Sequence, residues 1–463
     1  MITQYIPDNA ILEQKRFSEI VRNKIEGKNL TYFIETYGCQ MNVRDSETIA
    51  GFLSDMGFSE TAEKSKANLL FFNTCCVRDH AEKKLMANIG ALKERKDADP
   101  SMIVCIGGCM MQEPNMAKKI MNRFKFLDAV IGTNAFWKFP EIIWHIISGE
   151  QVIDTDEHQY AICEHMPAKR APGSSAFVNI MFGCDNFCSY CIVPYVRGRE
   201  RSRSPEHIIS EVKNLAEAGF TEITLLGQNV NSYGNGSDCS FPELLRLVNT
   251  VDGLKRIRFM TSHPKDLSDE LINAIADCQK VVHHIHLPLQ SGSDRILRAM
   301  NRKYDSAKYF SLINKLREAV PDIEITTDII VGFPGETEED FVDTLRMVEN
   351  VGFSSAFTFK YSPRVGTRAA SMPDQIPEAV KKERLARLND LQAQMTKKSN
   401  AKYVGQQGTV LVEGADMKND TLLHGRLGNF KMVYFKGSSE LVNTYCNVLI
   451  TECNNNSLIG ELV

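Results

Sequence analysis

A βα alternation through the middle of the chain limits how it can fold more than any other feature. Six short apolar runs, near residues 177–183, 222–228, 256–261, 283–289, 324–331 and 355–361, are separated by amphipathic segments. Each run has the length and composition of a buried strand, and the spacers have the length of helices. Ser204-Pro205-Glu206 gives one helix an N-cap, a proline at its opening position and an acid in its first turn, and Thr337-Glu338-Glu339-Asp340 opens another similarly. Repetition of this kind predicts a (β/α)6 barrel or part-barrel with its site at the carboxyl ends of the strands.

The loop after the first run reads Phe182-Gly183-Cys184-Asp185-Asn186-Phe187-Cys188-Ser189-Tyr190-Cys191. Three thiols spaced C-x3-C-x2-C suit one metal centre, and thiolates select zinc or iron–sulfur clusters. A structural zinc wants four protein ligands, and no fourth stands nearby. The residues alone leave three readings: an incomplete zinc site, a four-iron cluster with one iron open, or coincidence. Gln228 and Asn229, Ser262 and His263, Gln290 and Ser291, and Asp328 fall at the ends of later strands. Singly each serves as well for a cap or a satisfied core polar group; together they would line one mouth. His283, His284 and His286 read as packing and hydrogen-bonding residues, and Glu336 with Glu338, Glu339 and Asp340 as a solvated helix start.

Upstream, from Leu30, short runs at 32–37, 68–73, 102–106 and 129–131 alternate with helical patterns at 46–56, 78–96, 115–124 and 136–147. This predicts a doubly wound parallel sheet, α/β in class, with ligands gathered beyond the strand ends. Cys39, Cys75 and Cys109 each follow one of the first three strands, which would bring them to one edge as a second three-cysteine cluster. Cysteine is often simply buried, and that reading suits Cys105 inside its strand and Cys76 at the turn beside Cys75. Gly38, Gly107 and Gly108 would let a bulky cofactor approach the backbone. Gln40, Asn42 and Asn73 could bond cluster sulfides, or act in turns and caps.

With 463 residues the chain holds several domains and needs no disulfide staples. Its 13 cysteines, with no secretory pattern and no membrane-spanning run, predict a reducing cytoplasm. A formal charge of -4 attracts no polyanion as a whole, so any RNA must meet a local basic face. The segment 378–403 has Leu385, Leu388, Leu391 and Met395 on one helical face. Lys381, Lys382, Arg384, Arg387, Lys397, Lys398 and Lys402 lie elsewhere on it, a charge pattern suiting a solvated face. Runs at 408–414, 425–427, 431–435 and 447–450, separated by Gly/Asn turns, predict a small all-β barrel.

C-x3-C-x2-C after the first strand of a six-fold βα part-barrel resembles the radical S-adenosylmethionine (SAM) enzymes, and an amino-terminal three-cysteine domain is similar to the methylthiotransferases among them. Four strings, Pro194-Tyr195-Val196-Arg197-Gly198-Arg199-Glu200, Leu226-Gly227-Gln228-Asn229-Val230-Asn231-Ser232-Tyr233, Arg258-Phe259-Met260-Thr261-Ser262-His263-Pro264 and Leu287-Pro288-Leu289-Gln290-Ser291-Gly292-Ser293-Asp294, are similar to one branch. That branch converts N6-dimethylallyladenosine in tRNA to its 2-methylthio derivative. Arg199 departs from the pattern, standing where an acid is expected, and Cys76 is an unexpected thiol; neither touches the six ligand positions. The resemblance divides the chain into an extension (1–30), a methylthiotransferase domain (31–149), a linker (150–175), a radical SAM domain (176–400) and a TRAM domain (401–463).

The resemblance implies two 4Fe-4S clusters, one on Cys39, Cys75 and Cys109 and one on Cys184, Cys188 and Cys191. The open iron of the second would chelate SAM, which one electron cleaves to a 5′-deoxyadenosyl radical able to activate adenine C2. The open iron of the first would carry sulfide, methylated by another SAM. Tyr190 is expected to border the cofactor's adenine or simply to pack, and Gln228, Gln290 and Asp328 to contact cofactor or substrate. Phe333 and Phe359 are candidates to hold the prenyl chain, with core packing the alternative. Partners implied are a tRNA anticodon stem-loop, an external one-electron reductant and a sulfur and iron–sulfur supply. The TRAM domain implies RNA contact at Arg426, Asn429, Lys431 and Phe435, with Arg197, Arg199, Arg201 and Arg203 as a second phosphate track. Two other functions stay open: the sister enzyme that methylthiolates an aspartate of a ribosomal protein, and a non-catalytic iron–sulfur RNA-binding sensor.

Overall fold

The computed structural model describes residues 4–76, 79–155, 161–416 and 419–463. Arg78, where the sequence pattern opens a helix, and Lys418, one of the cations of the terminal barrel, lie outside them. The chain forms two compact units, the first made of residues 1–172, 181–185 and 192–203 and the second of 173–180, 186–191 and 204–463.

The first unit is built on a six-stranded, wholly parallel sheet in the order Ser59–Glu60, Thr31–Thr36, Leu69–Thr74, Ile103–Gly108, Ala129–Ile131, Val152–Asp154. Its two central strands, Leu69–Thr74 and Ile103–Gly108, are buried along their whole length and apolar but for Asn73 and Thr74, as suits strands covered on both faces. Val21, Ile49, Phe71 and Phe139 belong to the core on one side, and Leu70, Phe72, Leu85 and Ile120 to the core on the other. The segment read as an extension is part of this fold. Its helix Asp8–Ile25 packs on Phe139–Ile147, with Phe17 and Trp144 ring centres 5.3 Å apart and Gln14 donating to Glu141 at 3.0 Å. The segment read as a linker likewise begins with a sheet strand, Val152–Asp154.

In the second unit the six expected strands are present in sequential order. Ser175–Asn179, Glu222–Leu226 and Arg256–Phe259 form one parallel sheet, and His284–His286, Glu324–Val331 and Ser355–Lys360 another. A bridge between Ile257 and Val281 joins them into one open arc, the (β/α)6 part-barrel. Helix starts follow their caps: Ser204 Oγ accepts from the His207 N–H at 3.3 Å, and Thr337 and Asp340 form a capping box. Glu336 and Asp340 are not the solvated pair expected. Both are buried, Glu336 2.7 Å from Arg384 and Asp340 paired with Arg295 and accepting from Ser293 Oγ at 2.6 Å.

The long helix Glu378–Ala401 supplies Arg384, and its buried stripe is largely polar: Lys381, Arg384, Leu388, Gln392, Ser399 and Asn400. Lys381 and Arg384 are thus not on a solvated face. The helix leads into a closed five-stranded barrel in the order Gln407–Asp416, Asn419–Arg426, Met432–Lys436, Leu458–Leu462, Tyr445–Cys453. The sequence pattern missed the last strand, Leu458–Leu462. This barrel is seated on the amino ends of the part-barrel strands. Arg256 donates to the carbonyls of Arg426 at 2.9 Å and Thr409 at 2.6 Å, Arg258 to those of Leu427 and Gly428, and the Phe430 ring stacks on His284 at 4.8 Å. His284 and His286 both bond Thr326 Oγ1 at 3.0 Å and His283 bonds Asp322, the structural roles read from the sequence. No helix among the described residues is long and apolar enough to cross a membrane.

Candidate cluster and cofactor sites

In the first unit three adjacent strands deliver three cysteines to one edge. Thr36 is paired with Asn73, and Thr74 with Gly108, so Cys39, Cys75 and Cys109 stand just beyond neighbouring strand ends. Cys39 caps the helix Gln40–Asp55, and Cys109 opens a short 3-10 turn. The glycine before each of these two has no freedom to be anything else. Gly38 has φ +113°, and a Cβ there would lie 2.8 Å from Cys75 Sγ; Gly108 has φ +112°, and its Cβ would lie 2.4 Å from the Thr74 carbonyl oxygen. The third cysteine motif repeats the device, since Gly183 before Cys184 has φ +78° and its Cβ would lie 2.0 Å from the Arg199 carbonyl oxygen.

Asn42, fully buried, ties the edge together. Its Nδ2 donates to the carbonyls of Tyr37 and Thr74, both at 2.8 Å, and its Oδ1 lies 3.6 Å from Cys39 Sγ and 3.7 Å from Cys109 Sγ. Asn73 donates to the Asn42 carbonyl and to Ser46, and its buried Oδ1 has no partner among the described residues. These asparagines shape the turn, the alternative to direct sulfide bonding. Cys76 is more than core: its thiol stands against Cys109, and that contact, with the nearby charge of Arg197, lowers the Cys109 thiol against the opposing effect of burial. Cys105, within its strand, is fully buried.

Arg197 was expected on a phosphate track and does not fit one. It is buried, with Nε 3.0 Å from Cys109 Sγ and NH2 2.7 Å from Asp45 and 3.2 Å from Asn42 Oδ1. Arg203 is likewise committed, to Glu164 at 2.7 Å. Arg199 is exposed and 2.8 Å from Asp185; the Asp185 N–H donates to the Glu200 carboxylate and the Glu200 N–H to the Asp185 carboxylate, both at 3.1 Å.

In the second unit Cys188 and Cys191 lie on a loop held by the residues after the helix Asp294–Ala299. Asn301 donates to the carbonyls of Asn186 and Phe187, and the Ser189 N–H donates to the Met300 carbonyl at 3.0 Å. Arg302, for which the sequence offered no signal, places NH1 3.3 Å from Cys188 Sγ. Tyr190 packs with Ile296, Met300, Phe333 and Tyr361.

The carboxyl ends of the next strands carry buried polar atoms without a hydrogen-bond partner among the described residues: Asn229 Oδ1 and both polar atoms of the Asn231 side chain after the second, Ser262 Oγ after the third, and Gln290 Oε1 after the fourth. Such atoms are costly without a partner. These five, on four residues at one rim, are the donor and acceptor set that a polar cofactor would satisfy. Gln290 is also held at φ +71°, a backbone strain that marks ligand clamps. Asn229 Nδ2 is bound to Asp266 at 2.7 Å, Asp328 lies 3.4 Å from His286, and Gln228 is half-buried. Asn231 was not singled out from sequence. Phe357 and Phe359 are about half exposed on the strand face that carries His286 and Asp328, whereas Phe333 is fully buried core.

On the terminal barrel Arg426 is partly exposed beside Glu413 and stacked over Phe430 at 4.7 Å. Lys431 does not fit the expected phosphate contact. It is buried, with Nζ 2.8 Å from both Ser399 and Asn400 and 3.6 Å from Glu324. Phe435 is core, and Asn429 bonds Tyr403.

Three family models match, in chain order: Uncharacterized protein family UPF0004 over residues 31–132, the Radical SAM superfamily over 178–348 and the TRAM domain over 401–463. Fold and models together define a radical SAM protein with an amino-terminal cysteine domain and a terminal TRAM barrel. Among similar proteins, the tRNA-2-methylthio-N(6)-dimethylallyladenosine synthase of Thermoanaerobacter pseudethanolicus is 49% identical over 462 residues, covering 99% of this chain and 98% of that one. Its counterpart from Caldicellulosiruptor saccharolyticus is 53% identical over 440 residues, covering 94% and 93%. This chain belongs to the family of tRNA-2-methylthio-N(6)-dimethylallyladenosine synthases. The radical S-adenosylmethionine methyltransferase TsrM from Kitasatospora setae shares the fold, with a TM-score of 0.53 at 14% identity over 74% of this chain and 77% of that one.

Proposed function

We propose that the chain is a tRNA methylthiotransferase that converts N6-dimethylallyladenosine next to the anticodon to its 2-methylthio derivative. The observation that carries this reading is end-to-end similarity, about half of all positions over 94–99% of the chain, to enzymes of that name. Two 4Fe-4S clusters and SAM, when bound, supply sulfur, a methyl group and one-electron chemistry suited to a C–H bond that acid–base catalysis does not reach. Cys39, Cys75 and Cys109 would hold one cluster and Cys184, Cys188 and Cys191 the other. The soft thiol donor set and the cramped Gly-Cys turns support this assignment.

The chain's own residues orient and exclude. Asn231, Ser262 and Gln290 would receive the polar groups of SAM, since each has a buried atom otherwise unpaired. Gln228 and Asp328 stand at the same rim for cofactor or substrate, while Tyr190 supports the loop by packing. Phe357 and Phe359 offer an apolar wall to the prenyl chain. Arg199 and Arg426 are the candidates for RNA phosphates, and the target base is splayed from its stack at a cost of roughly a few kcal/mol. A one-electron reductant and a source of sulfur and assembled clusters come from outside the chain.

The test is expression in a host whose tRNA lacks the methylthio group but keeps the prenyl group. Nucleosides from its total tRNA, read by mass spectrometry, should gain methylthiolated prenyladenosine. Normal protein levels with no new nucleoside would overturn the assignment, and modification of a ribosomal-protein aspartate would favour the sister activity.

A further inference from the structure

Among the described residues a buried guanidinium lies against a cysteine sulfur of each proposed cluster, but the two differ in how their charge is balanced. Arg197 Nε is 3.0 Å from Cys109 Sγ, and the same guanidinium forms an ion pair at 2.7 Å with Asp45, itself largely buried. Arg302 NH1 is 3.3 Å from Cys188 Sγ, and its other nitrogens meet only neutral acceptors, the Tyr304 hydroxyl at 2.9 Å and the Pro288 carbonyl at 3.1 Å. Among the described residues no carboxylate pairs with Arg302, although it is buried.

A buried cation without a counter-charge is costly unless something anionic stands beside it. Thiolates and the metal centre they hold would be that anion. Reduction of such a centre adds one electron and breaks no protein bond, so it makes the centre more negative. A nearby positive charge favours the reduced form; a cation cancelled by a carboxylate does so far less.

We propose that Arg302 and the Arg197–Asp45 pair are positioning residues that set the two centres to different reduction potentials: Arg302 raises that of the Cys184–Cys188–Cys191 centre, while Asp45 keeps Arg197 from doing the same at the Cys39–Cys75–Cys109 centre. The electron comes from a low-potential one-electron carrier, whose delivery is thereby biased toward the centre that cleaves SAM. The proposal rests on the cluster assignment made above.

The experiment uses the full chain, reconstituted with iron and sulfide without oxygen, in two backgrounds. One has Cys39, Cys75 and Cys109 changed to alanine, the other Cys184, Cys188 and Cys191. Retention of a single iron–sulfur signal in each tests the assignment, and its loss would sink that reading before any potential is measured. Potentiometric titration followed by electron paramagnetic resonance then tests the inference. In the first background Arg302→Met should lower the reduction equilibrium at least tenfold, about 59 mV for a one-electron couple, and Arg302→Lys should recover part of it. In the second, Asp45→Asn should shift the couple upward. An unchanged midpoint in Arg302→Met with the signal intact overturns the proposal. If Arg302→Met fails to hold iron, Asp45→Asn decides: an upward shift supports the proposal, and no shift overturns it.

Discussion

Replacing Gly108 by alanine should damage the first unit far more than the loss of flexibility alone would suggest. Gly108 has φ +112° and ψ -175°, a region essentially reserved for glycine, and an L-residue held there costs about 1–3 kcal/mol. The added Cβ would also lie 2.4 Å from the oxygen and 2.6 Å from the nitrogen of Thr74, the residue paired with Gly108 on the neighbouring strand. Those are main-chain atoms that cannot swing aside, and overpacking of this kind costs about 1–3 kcal/mol more. The total is roughly 2–6 kcal/mol. Gly149→Ala is the control, with φ +95° but nothing within 4 Å of the new atom, at a cost of about 1–2 kcal/mol. Hydrogen–deuterium exchange of the strand Leu69–Thr74 reads the difference: about 2 kcal/mol corresponds to roughly 30-fold faster exchange. If Gly108→Ala exchanges no faster than Gly149→Ala and holds its full iron, the argument that this turn is sterically committed to Cys109 is wrong.

Other outcomes follow from the same placements. Lys431→Met removes the cation facing the buried Glu324 carboxylate, which keeps its bonds from Tyr403 and Ser399, and should lower the stability of the terminal barrel by about 3 kcal/mol, seen as an earlier unfolding step with no loss specific to RNA. Arg426→Ala should instead weaken stem-loop binding and reduce the slope of log affinity against log salt by about 1, in a filter-binding series. Phe359→Ala, at a half-exposed position, should change stability by no more than about 0.5 kcal/mol, yet lower the preference for prenylated over unprenylated stem-loop roughly tenfold. Burial raises the Glu336 carboxyl from its ordinary 4.5 to about 6 in the folded chain, with the Gly332 N–H and Arg384 opposing the shift. The native state then binds the extra proton between these values, so stability falls as pH rises from about 4.5 through 6 and is level above, by at most about 2 kcal/mol. Glu336→Gln should flatten that part of a stability–pH profile.

What could be read from the sequence was what repetition and backbone necessity write into it. The six central runs and the four amino-terminal ones are long enough to identify as strands, and once they are strands the cysteines must fall at their carboxyl ends. Edge elements were harder. Ser59–Glu60 is two residues long, Val152–Asp154 sits in a segment of linker-like composition, and Leu458–Leu462 follows a run of asparagines at the end of the chain. Charged residues were hardest, because composition does not say whether an arginine has a buried partner. Arg197, Lys431, Lys381 and Arg384 looked like solvent or phosphate ligands and are instead buried, bound to Cys109 and Asp45, Glu324, the Tyr361 carbonyl and Glu336 respectively. Arg302 belongs to the same class: nothing periodic marks it, and only the fold brings it to Cys188.

The most direct test of the account is anaerobic reconstitution with iron and sulfide, followed by reduction and incubation with SAM and a prenylated anticodon stem-loop. Mass spectrometry of the base should show a methylthio gain on adenine that disappears when either Cys184 or Cys39 is changed to alanine. Production of 5′-deoxyadenosine with no change to the base, or a methylthio gain that survives Cys39→Ala, would contradict it.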